Sequence, residues 1–117
     1  MRRTAWQVGR ELVQKIYFLT KKPEFTNDRR LTSQLQAAAI SVPSNIAEGY
    51  ERVSAAEFHK FLIMAKASCA EVRSQLYNAK DIGYISEVEF KNLIDFAEYA
   101  GRIIGALREA VRRRIRN

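Results

Sequence analysis

The chain has 117 residues, a net charge of +7 and a sequence pI near 9.9, and 47% of its residues are hydrophobic. This length and composition predict one domain, spanning residues 1–117, with a small core, and no stretch is long and apolar enough to cross a membrane. The single cysteine, Cys69, excludes an internal disulfide and no secretory signal pattern is present, so we expect a cytoplasmic protein with a buried, reduced thiol.

The first predicted helix opens with a capping box, in which Thr4 at the N-cap is followed three residues later by Gln7. Apolar residues then recur every three or four positions, which is typical of one helical face: Ala5, Val8, Leu12, Ile16 and Leu19. Because proline disfavours helical geometry at the preceding residue, Pro23 should end this helix near Lys21.

The second predicted helix begins at Asn27 or Asp28, either of which can accept hydrogen bonds from the free amides of the first turn. Gly49 is expected just past its end, since glycine is the usual residue there. The apolar stripe that lies between these points follows a helical period: Leu31, Leu35, Ala38, Val42 and Ile46.

Pro43 lies inside this second segment, and the apolar stripe keeps its phase across it. We therefore predict one helix that bends at Pro43, where the bond to the Ala39 carbonyl is missing. The alternative is a new helix with Ser41 as its N-cap. The neighbouring polar side chains, Ser44 and Asn45 among them, could bond to the carbonyls that a bend exposes.

Two further helices open with capping-box patterns, at Ser54 and at Ser86, and Gly83 should end the first of them. The connections are short, so neighbouring helices should be antiparallel. The fold predicted is all-α, an antiparallel up-down-up-down four-helix bundle with helices of about 18, 22, 27 and 28 residues, in which more than about three quarters of the chain is helical.

The last predicted helix carries small residues at a spacing of four, namely Ala97, Gly101 and Gly105. Each glycine inside a helix costs about 0.8–1 kcal/mol relative to alanine. Two of them on one face indicate the close approach of another backbone. That backbone could belong to the same bundle or to a neighbouring subunit.

Arginine is concentrated near the C-terminus, where the last sixteen residues hold six arginines and one acid, Glu109. Arg108, Arg112 and Arg116 follow at i, i+4 and i+8. Like charges at this spacing destabilise a helix, which suggests that a partner compensates for them. In this topology both termini lie at one end of the bundle, where Arg52 from the loop between the second and third helices should join them. Arginine suits phosphate, and no aromatic residue is interleaved, so we expect contact with the nucleic-acid backbone rather than base stacking. The candidate residues are Arg2, Arg3, Arg108, Arg112, Arg113 and Arg116.

No catalytic site is expected. His59 is the only histidine, and it lies ten residues from Cys69 on the same helix, about 80 degrees away around the axis. No ligand cluster at metal-binding spacing and no phosphate-binding loop occur, so we expect no metal, cofactor or small-molecule substrate. Glu48 lies in the last turn of its helix, where the dipole disfavours a carboxylate, so we expect it to pair with Arg52 or with an arginine of a neighbouring subunit.

Two long strings, "LTSQLQAAAISVPSNIAEGY" and "SAAEFHKFLIMAKASCAEVRSQLYNAKDIGYIS", resemble the four-helix-bundle proteins encoded within 23S rRNA intervening sequences. The most specific part contains Pro43, Ser44, Asn45, Glu48 and Gly49. The resemblance implies a homopentameric ring and, less directly, a basic surface that binds nucleic acid.

The last helix also resembles the accessory variability proteins of diversity-generating retroelements, which implies a reverse transcriptase and its template RNA as partners. The sequence leaves both branches open. It leaves two functions as well: a nucleic-acid-binding accessory protein, or an oligomeric scaffold whose arginines contact protein.

Overall fold

The computed structural model describes residues 3–115, which form five helices. The helices account for 83% of the described residues, and those residues include no strand. The all-α prediction is therefore confirmed. The helices are α1 (Ala5–Leu19), α2 (Pro23–Thr26), α3 (Arg29–Tyr50), α4 (Ala55–Asp81) and α5 (Glu87–Arg112).

The four long helices pack as a closed square, in which α1 contacts α3, α3 contacts α4, α4 contacts α5, and α5 returns to α1. The bundle measures 50 × 25 × 23 Å. Thr4, Tyr50 and Val111 line one cleft, so α1 begins where α3 and α5 end. We call this the arginine end. At the opposite end Lys22, after α1, bonds to Glu89 in the first turn of α5.

Helix starts follow the predicted caps. Thr4 and Ser86 each form a full capping box, and Asp28 accepts a hydrogen bond from the Leu31 amide at 3.1 Å. Ser54 accepts from the Glu57 amide, but the return bond of a capping box is not made there. The Glu57 carboxylate instead lies 3.7 Å from Arg52.

The connection between the first two predicted helices contains the extra helix α2. Proline suits the first turn of a helix because its missing N–H has no partner there in any case, and Pro23 is the first residue of α2. This one-turn helix places Phe25, fully buried, at the base of the bundle, where its ring meets Tyr84 edge-on with centroids 5.5 Å apart. The first helix accordingly ends at Leu19, earlier than predicted.

Helix α3 continues through Pro43, as predicted, and no new helix begins at Ser41. The Ser41 hydroxyl donates to the Ala38 carbonyl at 2.9 Å, and the side-chain amide of Asn45 donates to the Ser41 carbonyl at 2.8 Å. Gly9 of α1 makes room for the proline, since a β-carbon built on Gly9 would lie 3.3 Å from the Pro43 nitrogen.

The two glycines predicted to end helices behave differently. Gly83 has a φ of +83°, and the amides of Gly83 and Tyr84 donate to the Lys80 and Ala79 carbonyls, so it ends α4 in a Schellman motif, as predicted. Gly49 does not lie past the end of α3: the helix runs on to Tyr50, and Gly49 is buried inside it. That expectation was wrong because the glycine serves packing, and a β-carbon there would lie 2.6 Å from Cβ of Phe61 in α4.

Candidate nucleic-acid interface

A shallow groove runs along the outer side of the contact between α4 and α5. Gly101 and Gly105 of α5 lie beside it, next to the ends of two of its cationic side chains. A β-carbon built on Gly105 would lie 3.4 Å from the Lys66 ammonium nitrogen, and one on Gly101 would lie 3.6 Å from an Arg73 guanidinium nitrogen. The two glycines thus leave the space in which the cationic side chains of α4 lie. The cavity holds about 400 Å³ between Ile63, Lys66, Ala67, Ala70, Arg73 and Arg108.

The basic residues of this groove follow a seven-residue repeat on α4. His59, Lys66 and Arg73 are spaced at i, i+7 and i+14, which puts them on one side of the helix, about 10 Å apart along its axis. From α5, Arg108 adds a guanidinium nitrogen 3.4 Å from Nε2 of His59. The sequence interpretation missed Lys66 and Arg73, although the repeat was the signal that could have found them.

These cations keep their charge uncompensated. Within residues 3–115, no carboxylate forms an ion pair with Lys66, Arg73 or Arg108. Lys80 continues the seven-residue repeat, but it lies 3.4 Å from Glu87 and so differs from the others. We refer to Lys66, Arg73 and Arg108, with His59, as the basic groove.

Several of the predicted arginines already have acidic partners. Arg112 donates from Nε to Glu109 at 3.0 Å, and this bond holds the pKa of that carboxyl below its usual range. Arg3 pairs with Glu11. Arg52 lies 3.1 Å from Glu48, so of the two partners expected for Glu48 the structure shows the one within the chain.

The other predicted arginines divide into two groups. Arg113 is exposed beyond the end of α5. Arg2 and Arg116 lie outside the described residues. Arg114 lines a cleft beside Trp6 and Tyr50 at the arginine end. The sequence interpretation did not name it as a candidate.

The signature and the small-residue stripe make contacts inside the bundle. Pro43 and Gly49 lie at close approaches of α3 to its neighbours, while Ser44 and Glu48 are exposed. Ala97 is fully buried, and the nearest atoms to Gly101 and Gly105 belong to α4. Both glycines therefore have intramolecular neighbours.

His59 and Cys69 do not form a catalytic pair. His59 faces Arg108, whereas Cys69 is fully buried in the core, where desolvation raises the pKa of its thiol to about 11 despite the nearby charges of Arg73 and Lys66. Across residues 3–115 no group of three or more potential ligands could hold a metal ion. None of the helices described is both long and apolar enough to cross a membrane.

Comparison with known proteins identifies the family. The model of the 23S rRNA-intervening sequence proteins matches residues 2–106. The chain belongs to this family. The fold agrees: a crystal structure of a protein of unknown function from the S23 ribosomal protein family of Bacteroides thetaiotaomicron superposes with a TM-score of 0.80.

That superposition covers 89% of this chain and 97% of the other, at 18% identity, which supports the fold alone. No protein with a curated description is significantly similar to this chain. The family thus indicates an RNA-linked role.

Proposed function

We propose that this 23S rRNA-intervening sequence protein is a non-enzymatic, cytoplasmic accessory protein that binds nucleic acid, RNA in the first place, through backbone phosphates. The observation that carries the proposal is the basic groove, in which Lys66, Arg73 and Arg108 converge from two helices without an acidic partner among the described residues. Unpaired cations held this closely repel each other, and an anionic ligand would relieve that repulsion.

The groove suits a phosphate backbone better than a single small anion. Lys66 and Arg73 start about 10 Å apart along α4, and their charged ends lie beside Gly105 and Gly101 of α5, so positive charge is spread along the groove rather than gathered at one point. Backbone contacts fix the position of a nucleic acid but carry no sequence information, so the groove itself should bind many sequences alike. The exposed Arg113, and Arg2 and Arg116 as further proposed contacts, would extend the cationic surface at the arginine end.

A salt titration tests the proposal. Each phosphate neutralised on a single strand contributes about 0.7 to the negative slope of log affinity against log salt. Replacing Lys66, Arg73 and Arg108 with glutamine should reduce the slope by up to about 2 for a subunit that uses all three. The matched control replaces Lys21, Arg29 and Arg30 at the opposite end, which removes the same net charge outside the groove.

The outcome separates two functions. A loss confined to the groove variant supports phosphate binding there. Equal losses in both variants would mean that only net charge matters. Unchanged affinity and slope in the groove variant would favour the alternative function, an oligomeric scaffold without direct nucleic-acid binding.

We also propose that the protein is a homo-oligomer, most simply the pentamer that the family resemblance implies. Support comes from large apolar side chains that are exposed outside the groove, Ile40 of α3 and Met64 of α4 among them. Contact with a second subunit would remove these side chains from water, which is favourable. A reverse transcriptase is a further candidate partner, supported by the resemblance of α5 to accessory variability proteins.

A further inference from the structure

A second surface feature lies at the arginine end, where α1, α3 and α5 part and leave a cleft of about 590 Å³. Its walls are mainly apolar, and its deeper residues belong to the core, Ile46, Phe58 and Val111 among them. The cleft is separate from the basic groove and shares no lining residue with it.

Two aromatic rings stand at the mouth of this cleft with large exposed areas. Trp6 is 42% exposed and Tyr50 is 74% exposed. The Tyr50 ring meets Phe58 edge-on, with centroids 6.0 Å apart and planes at 88°, so its faces are not stacked on that neighbour. The Arg10 guanidinium lies over one side of the Trp6 ring, 4.9 Å from its centroid. Exposed flat rings of this kind are the platforms on which proteins stack the bases of single strands.

The charges around the cleft indicate what it binds. Arg114 lines it and forms no ion pair with any carboxylate among residues 3–115. Arg113 is exposed next to it in the chain. Glu51 is the acid in the lining and can accept a hydrogen bond from an exocyclic amino group. Apolar walls, exposed rings and an adjacent free guanidinium match a nucleobase joined to a phosphate.

We propose that this cleft takes an unpaired base of a single-stranded RNA, stacked on Tyr50 or Trp6 with a neighbouring phosphate at Arg114. The inference rests on the proposed function and makes it more specific, because bases in a duplex are already stacked and cannot enter. The sequence analysis did not predict base stacking, because no aromatic residue lies among the C-terminal arginines. The fold brings Trp6 and Tyr50 to Arg114 from distant parts of the chain.

Trp6 is the only tryptophan, so its fluorescence reports on the cleft without a label. The full chain is titrated with oligocytidine, whose bases carry an exocyclic amino group, with an RNA duplex of equal length, and with an abasic oligonucleotide that has the same phosphates and no bases. We expect the single strand to quench Trp6. The duplex and the abasic strand should bind, as measured by anisotropy of a labelled end, without that quenching.

Replacing Tyr50 with leucine removes the ring and keeps the apolar volume. It should weaken binding of oligocytidine by about five- to 150-fold and leave binding of the abasic strand unaffected. Phe18→Leu is the matched control, since Phe18 is an equally exposed ring near the opposite end of α1.

Three results would overturn the inference. The first is equal affinity for the single strand, the duplex and the abasic strand with no quenching; a retained salt slope would then leave the proposed function standing. The second is a change of oligomer mass in Tyr50→Leu, which would show that a second copy fills the cleft. The third is no binding of any of the three nucleic acids, which removes both proposals.

Discussion

Two glycines should respond to the same substitution with opposite signs. Alanine is favoured over glycine in a helix interior by about 0.8–1 kcal/mol. At Gly105 the nearest atom to a new β-carbon is the Lys66 ammonium nitrogen at 3.4 Å, the end of a flexible and exposed side chain. That nitrogen can move aside, so Gly105→Ala should stabilise the fold by up to about 1 kcal/mol.

At Gly49 the new β-carbon would lie 2.6 Å from Cβ of Phe61, which cannot move without α4 itself. Carbon atoms in ordinary contact lie about 3.5–4.0 Å apart, so α3 and α4 would have to separate by about 1 Å at this point. Overpacking of this kind costs about 1–3 kcal/mol, which exceeds the propensity gain over most of that range. After that gain is subtracted, we expect Gly49→Ala to be destabilising by up to about 2 kcal/mol.

Thermal unfolding followed by circular dichroism measures both variants. A domain of this size shifts by roughly 4 °C per kcal/mol, so the two melting temperatures should move apart by several degrees, one above and one below the parent. All three proteins must be compared at one concentration, since assembly makes the melting temperature depend on it. A Gly49→Ala protein more stable than the parent would show that the helices do not approach closely there.

Two further predictions concern the core and assembly. Burial raises the pKa of the Cys69 thiol to about 11 from an ordinary 9.0, so the thiol of the unfolded state loses its proton first as pH rises. The free energy of unfolding, measured with urea, should keep its full value below pH 9 and fall by up to about 2–3 kcal/mol by pH 11. An equally steep fall in Cys69→Ala would contradict this. Pro43→Ala restores an amide that can bond to the Ala39 carbonyl and removes the cause of the bend predicted from the sequence. We expect helicity to be kept and the oligomer mass measured by light scattering to change, whereas a parent of monomer mass at micromolar concentration would refute the oligomer itself.

The helices were predictable because their signals are local. Thr4, Asp28 and Ser86 satisfy the first-turn amides from within three residues, and the apolar period is set within each helix. Continuity at Pro43 was predictable for a related reason, since the apolar stripe has to meet the same core on both sides of the proline. The sequence interpretation missed α2, because a helix of one turn is too short to show an apolar period.

The candidate sites were less predictable because they depend on pairs of helices. The clustering of arginines was visible in the sequence, but whether each has an acidic partner was not. Glu109 lies one turn before Arg112, whereas Glu11 reaches Arg3 across two turns of α1. In the sequence, Lys66 is one of many surface charges. Its place in a groove follows only from the packing of α5, whose Gly105 and Gly101 lie next to Lys66 and Arg73. Gly49 likewise shows its role only through Phe61, twelve residues away on another helix.

The basic groove also bears on where subunits can meet. The stripe of Ala97, Gly101 and Gly105 was a candidate subunit interface, but Lys66 and Arg73 lie over its two glycines. A subunit docked there would bury both cations, neither of which has an acidic partner within its own subunit among the described residues; a buried charge left unpaired costs several kcal/mol.

Exposed apolar residues outside the groove carry no such penalty, Ile40 of α3 and Met64 of α4 among them. Assembly through such residues would leave the groove open and repeat it in every subunit, whereas Ile63, Ala67 and Ala70 line the groove, and a subunit docked on them would close it. Linked copies of one weak phosphate site bind a long strand far more tightly than one copy does. The two proposals, an oligomer and a backbone-binding groove, are therefore compatible only if the glycine stripe serves packing within the bundle.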